Sequence, residues 1–529
     1  MNILLVYPTF PKSFWSFAYA LKIYGRKALL PPLGLLTVAA MLPKDWNKRL
    51  VDLNVRALTD EDLAWADHVF LSGMAVQREM AHDVARRCKA AGKTVIAGGP
   101  LFAGEYALFT EVDHFVLNEG EPTMAKLVAD MQAGTLKRLY RSRDYADMTA
   151  SPVPLYELLD IKQYACMGIQ YTRGCPYDCE FCNVTALLGR MPRIKKAEQI
   201  IAELDALKAA GWRSTVFFVD DNLIGNRPAL KKDLLPALIE WQKRSGPLPF
   251  LTQATINLAD DPELMTMMGD AGFDTVFVGI ETPDAEALAE CKKSQNRNRN
   301  LVEDVRKLQG AGIEVQGGFI VGFDHDTEAS FQRQVDFIQA SGIVTAMVGQ
   351  LHAPPGTRLD SRMWLEGRLR GQSTGNNTDG TTNIVPKMGL EKLRDGYFWL
   401  LGAIFAPKPA YTRIRTFLRQ YRQPKIRAPL DSRTLGCLWR SVYHVGMMGR
   451  ERWEYWKLMV WTLFRRPVHM ARAIKLAALA HHYRRIWEEM AARPLAEPLQ
   501  LLEEMEKAEA ALRMGVGNAT VGAPANGAG

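Results

Sequence analysis

The stretch "YTRGCPYDCEFCN", residues 171–183, gathers Cys175, Cys179 and Cys182 with C-x3-C-x2-C spacing. Thiolates held this close are metal ligands by type, since soft sulfur suits zinc and iron–sulfur clusters. Three readings compete. Chance clustering of buried thiols fits poorly with a chain of only seven cysteines. A zinc site needs a fourth ligand, but Cys166 lies before the strand that enters the loop, and the nearest histidine in sequence is His114. A [4Fe–4S] cluster on three cysteines leaves one iron open, and an open position separates a catalytic metal site from a structural one.

The loop needs a scaffold, and the pattern around it supplies one. From about Met167 to Arg358, six strand-like runs ("MGIQYTRG", "TVFFVDD", "FLTQATIN", "TVFVGIET", "VQGGFIVGF", "AMVGQLHA") alternate with helical segments. Six βα units predict a partial (β/α)6 barrel, with the cysteines at the C-terminal mouth of its first strand. Ahead of it, "NILLVYP", "RLVDLN", "HVFLSGM", "KTVIAGGP" and "HFVLNEGE" alternate with helices, which predicts a doubly wound parallel sheet. Ser72, Gly98, Gly99, Glu119, Gly120 and Glu121 fall at its strand C-termini, the edge where ligands bind in open α/β sheets. Those glycines also read as plain βα turns. "AGKT" at 91–94 is not a Walker A loop, because Arg87 stands where that motif needs glycine. The expected organisation is 1–140 Rossmann-like, 160–365 barrel, 366–500 helical and basic, and 515–529 a disordered tail.

C-x3-C-x-Φ-C, with Phe181 as the aromatic residue, resembles the signature of the radical S-adenosylmethionine (SAM) enzymes. The resemblance implies that the amino and carboxylate groups of SAM fill the open iron, and that its reduction yields methionine and a 5′-deoxyadenosyl radical. By the same resemblance, Asp220, Asp221 and Asn222 stand where the second strand meets the methionine ammonium, and Glu281 where the fourth strand meets the ribose. Gly318, Ile320 and Gly322 resemble the adenine-side motif of the fifth strand, and Pro355 the sixth-strand turn. Helix capping is the plain alternative for Asp220 and Asp221, and a surface salt bridge for Glu281.

"PPLGLLTVAAMLP", "AGGP" and "NEGE" resemble the cobalamin-binding class of this family, so cobalamin is the expected third cofactor. None of the nine histidines sits in D-x-H-x-x-G, so no such histidine would lie under the cobalt; Met74 and Gln77 are positional guesses. From "YPTFPKSFWSFAYAL" to "GNNTDGTTNIVPKM", about residues 1–425, the chain is similar to the subgroup with a C-terminal domain of unknown function that includes the hopanoid C-2 methylases. The resemblance implies methylation of an unactivated carbon, with a hopanoid-type lipid as the expected substrate and a flavodoxin- or ferredoxin-type electron donor. The alternatives are a radical enzyme of the same build that does not methylate, and a non-catalytic cobalamin or iron–sulfur sensor that binds nucleic acid.

Few cysteines, 47% apolar and 23% charged residues, and no apolar run of transmembrane length point to a cytoplasmic globular protein without a disulfide framework. The net charge of +8 is unevenly spread. Residues 407–485 hold 18 Lys and Arg against three acids, so the remainder is net −7 by difference. Aromatic residues interleave with these cations. That mixture suits a membrane surface at the inner face of the cytoplasmic membrane, nucleic acid, or helices packed with a solvated basic face. With the resemblance, the lipid surface is expected and nucleic acid is not.

Overall fold

The computed structural model describes residues 1–427 and 432–492. The expected tail at 515–529 lies outside the described residues, as does the end of the 366–500 segment. A first sheet contains β1 (Asn2–Tyr7), β2 (Asn47–Asp52), β3 (His68–Ser72), β4 (Thr94–Gly98), β5 (His114–Leu117) and β6 (Leu139–Arg141), in spatial order 2-1-3-4-5-6. All its pairings are parallel. Side chains alternate across a strand, so a run of apolar residues serves two cores at once. Leu4, Val6, Val69, Leu71, Val95 and Ala97 enter one cluster, while Ile3, Leu5, Phe70 and Ile96 enter another on the opposite face. β6 was not foreseen: it is three residues long and buries only Tyr140.

β7 (Met167–Ile169) leads into a short antiparallel hairpin, β8 (Thr172–Arg173) with β9 (Arg193–Ile194), that brackets the cysteine loop. β10 (Val216–Phe218), β11 (Phe250–Gln253), β12 (Phe273–Glu281), β13 (Glu314–Val321) and β14 (Ala346–Gln350) continue from β7 as one six-stranded parallel sheet in sequence order. These are the six strands foreseen, and with their helices they make the partial barrel. Val276, Val278 and Ile280 of β12 are fully buried in the main core, whereas Phe277 and Gly279 lie on the half-buried face, as do Gln316, Gly318 and Ile320 of β13.

Helices Leu390–Phe405, Pro407–Gln420, Ser432–Ser441, Arg452–Arg465 and Met470–Ala491 follow. The last ties the molecule together. At the N-terminal ends of β12 and β13, Arg472 pairs with Asp274 at 2.9 Å and with Glu314. His482 lies against the "SFWSFAYA" segment, Nε2 donating to the Phe14 carbonyl at 3.0 Å and Nδ1 accepting from the Tyr19 amide at 3.4 Å. Burial pushes this histidine down to about 4, so the neutral ring that such a donor–acceptor pair requires is the stable form.

Candidate active site

The cysteine loop is pinned before any cofactor is considered. The Cys175 amide donates to Gly189 O at 3.2 Å, Cys182 to Cys179 O at 3.1 Å, and Glu180 to Cys291 O at 3.0 Å. The Glu180 carboxylate accepts two bonds from Arg362, at 2.7 and 3.0 Å. Amide groups reach the sulfurs: Asn222 Nδ2 lies 4.0 Å from Cys175 Sγ, and Gln295 Nε2 3.7 Å from Cys179 Sγ. Lys293, buried, pairs with Glu281 at 2.7 Å. Burial opposes its charge, but Glu281 and the thiols of Cys179 and Cys182 outweigh burial and hold the ammonium well above its ordinary range. Burial pushes the Cys182 thiol up to about 12, with Lys293 acting the other way. Two amide donors and a buried cation converge on thiols that carry negative charge once ligated, so these residues fit an anionic cluster. Among the described residues, no three His, Cys, Asp or Glu side chains meet on one ion. A cube-shaped cluster takes thiolates at separate corners and does not require that they meet.

The remaining candidates divide. Asp221 is half-buried, its carboxyl pushed up to about 6 by burial, and it acts electrostatically on Cys182. Asp220 serves the backbone. It is fully buried, and its carboxylate accepts the backbone amides of Tyr171, at 3.1 Å, and Thr172. It fastens the strand that enters the cysteine loop to the segment that follows β10. Glu281 forms no surface salt bridge; its partner is buried, and it sits at φ 63° on a bulge in β12, a strained conformation of the kind stored at functional sites. A Cβ on Gly279 would collide with the Glu281 carboxylate and Lys293 Nζ, so a side chain there would force this pair to shift. Phe181 and Ile320 pack into one cluster with Phe323, Leu351 and Ala353. Gly318 lies on the half-buried face of β13, and the Gly322 amide donates to Asp326 at 2.8 Å. Pro355 is exposed, in a turn facing Gly104 of the first domain.

A cavity of about 330 Å³ opens at the C-terminal edge of the first sheet. Ser72, Gly98, Gly99, Glu119, Gly120 and Glu121 all line it, over an apolar floor that includes Leu35, Val38, Phe70 and Ile96. Gln170 and Arg173, from the approach to the cysteine loop, line it too, so the two domains share it. Neither Met74 nor Gln77 does: Gln77 is buried, its amide donating to Pro8 O at 2.5 Å, and Met74 is exposed. The acidic pair is spoken for. Arg173 bonds Glu119 at 2.9 Å and Glu121 at 2.8 Å, and Arg193 bonds Glu119 at 2.9 Å. Sequence reading missed Arg173, Arg193, Lys293 and Gln295. The first two had a signal, since two carboxylates in a turn after a buried strand require cations. Lys293 and Gln295, within "CKKSQNRN", had none.

Residues 169–338 match the radical SAM superfamily, and residues 357–494 match a domain of unknown function, DUF4070. An uncharacterized methyltransferase of Synechocystis sp. is 38% identical over 497 residues, 91% of each chain. The hopanoid C-2 methylase of Rhodopseudomonas palustris is 43% identical over 374 residues, 70% of this chain and 71% of that one. The structure of the cobalamin-dependent SAM radical enzyme OxsB superimposes with a TM-score of 0.60 over 97% of this chain and 81% of that one; at 15% identity the likeness is one of fold.

Proposed function

The chain belongs to the radical SAM methyltransferases, and from that membership we propose that it methylates an unactivated carbon of a hopanoid-type polycyclic lipid, using cobalamin as methyl carrier. The observation that carries this reading is the shared cavity, where the cradle of the first sheet abuts the strand that leads into the cysteine loop. Its lining suits a macrocycle with polar edges: small residues, an apolar floor, and Ser72 and Asn118 among the polar groups. When bound, the cluster with SAM supplies hydrogen-abstracting power and cobalamin the methyl group, which together reach a C–H that polar attack cannot.

Cys175, Cys179 and Cys182 would hold the cluster, and Asp221 would receive the ammonium of SAM. Lys293 places a fixed positive charge beside the thiolates, while Glu281 keeps that charge buried and oriented. Asn222 and Gln295 turn amide donors toward sulfur. Phe277 on the half-buried face of β12 meets Trp15 of the first domain, ring centroids 5.6 Å apart, and this aromatic pair suits a hydrocarbon substrate. On the outer side of the loop, Arg190, Lys292 and Arg297 line a second cavity of about 310 Å³, a basic recess that suits an acidic flavodoxin- or ferredoxin-type donor. The expected place of work is the inner face of the cytoplasmic membrane. Among the described residues, no helix is long and apolar enough to cross a bilayer.

The test is anaerobic turnover with cobalamin, SAM, a reductant and diploptene. Lipid-dependent 5′-deoxyadenosine and S-adenosylhomocysteine, with a lipid heavier by one CH2, are expected. 5′-Deoxyadenosine without a methylated product would leave a radical enzyme of another kind. A paired substitution tests the cradle. Gly99 and Gly92 both have positive φ, 100° and 68°, but a Cβ on Gly99 would run into Ser72 Oγ whereas one on Gly92 meets nothing within 4 Å. Gly99→Ala should weaken cobalamin binding about tenfold or more, and Gly92→Ala should leave it unchanged, both read by absorbance titration. Equal effects would mean that backbone strain, not cavity shape, is responsible.

A further inference from the structure

The Arg452–Arg465 helix is apolar on two faces. Tyr455, Leu458 and Met459 are buried against the protein, but Trp453, Val460 and Phe464 point away from it. A helix apolar all round is normally buried all round. The segment before it extends the uncovered surface: Trp439, Tyr443 and Met447 recur at every fourth residue and are exposed too. Exposure reaches 72% at Trp439, 69% at Trp453 and 77% at Phe464. Exposed cations stand beside these residues, among them Arg452 and Arg465. Between residues 435 and 468 the acids are Glu451 and Glu454, and both turn inward, Glu451 to His481 and Arg484 and Glu454 to Arg415 and Lys457. Among the described residues of this stretch, the outward surface is therefore apolar, aromatic and cationic.

We propose that this face docks on an anionic lipid bilayer, with Trp439, Trp453 and Phe464 at headgroup depth and the cations on lipid phosphates. Bilayer interfaces favour this combination. A second copy packed face to face would set these cations against their equals, which disfavours self-association. The proposal rests on the lipid-substrate reading only for its purpose; the surface stands on its own residues.

The test is flotation of the full chain with vesicles of phosphatidylcholine alone and of phosphatidylcholine with phosphatidylglycerol. Wild type should float with the anionic vesicles, and Trp453→Ser/Phe464→Ser should lower the partition coefficient about tenfold or more, with an unchanged circular dichroism spectrum. Arg452→Glu/Arg465→Glu should remove the preference for anionic vesicles. Failure of the wild type to float, or unchanged flotation of the aromatic variant, would overturn the proposal. So would a dimer in vesicle-free solution that the aromatic variant converts to monomer, since a second copy would then cover the face. Methylation of detergent-dispersed lipid needs no docking. Its loss would count against the substrate reading, and its persistence without flotation against the docking surface.

Discussion

Cys179→Ala should lower 5′-deoxyadenosine formation at least about a thousandfold, with loss of reconstituted cluster iron and with cobalamin binding retained. Cys179 is the most buried of the three loop cysteines, and its sulfur receives the Gln295 amide. Its charge acts on the buried Lys293. Removing one thiolate leaves a second iron without a protein ligand, next to a buried cation that then lacks part of its counter-charge. Cys88→Ala is the control, because that thiol belongs to the core of the first sheet, where burial pushes it up to about 11. It should cost stability alone. Measurable SAM cleavage by the Cys179 variant, at a rate near wild type, would remove the cluster assignment. The neighbouring thiols also give loading a pH dependence. Burial holds Cys182 protonated at neutral pH, so cluster assembly releases protons and should be favoured as pH rises.

Arg173→Met should destabilise the junction of the two domains by about 3–5 kcal/mol at neutral pH, read from denaturant unfolding of the full chain. Arg173 is largely buried and bridges Glu119 and Glu121. Without it, Glu119 keeps Arg193, but Glu121 is left as a largely buried carboxylate with no salt-bridge partner, influenced only at a distance by Lys195. Burial alone would raise the Glu121 carboxyl; Arg173 reverses this and holds it below its ordinary 4.5. A carboxyl whose folded value lies below its unfolded one contributes stability above the unfolded value, and loses it as pH falls through the folded one. The penalty of Arg173→Met should therefore be largest near neutral pH and shrink below about pH 4.5. A penalty under about 1 kcal/mol, independent of pH, would mean that the bridge behaves as an exposed pair. Because Arg173 also lines the shared cavity, the same variant should weaken cobalamin binding.

The architecture was legible because buried parallel strands leave long apolar runs. Eleven strands of the two sheets could be read this way, but β6, with a single inward tyrosine, could not. The cysteine loop was legible because three thiols in eight residues have few uses, and the cradle because Ser72, Gly98 and Gly99 end successive strands of one sheet. What sequence could not show was direction. Asp220 and Asp221 are adjacent and alike, yet one is buried on the backbone amides of Tyr171 and Thr172 and the other is half-buried beside Cys182, a difference made by the turn of the chain after β10. The NEGE carboxylates line the cavity, but they do so already paired with Arg173 and Arg193, whose roles depend on a domain contact that no local pattern encodes.

The most direct measurement is the fate of the methyl group. The reconstituted chain would be reduced anaerobically with methyl-deuterated SAM, cobalamin and diploptene, and the lipid examined by mass spectrometry. The expected product carries the whole deuterated methyl and accumulates with an equal amount of 5′-deoxyadenosine. 5′-Deoxyadenosine that accumulates while the lipid gains no label would contradict the assignment of the chain as a hopanoid-type methylase.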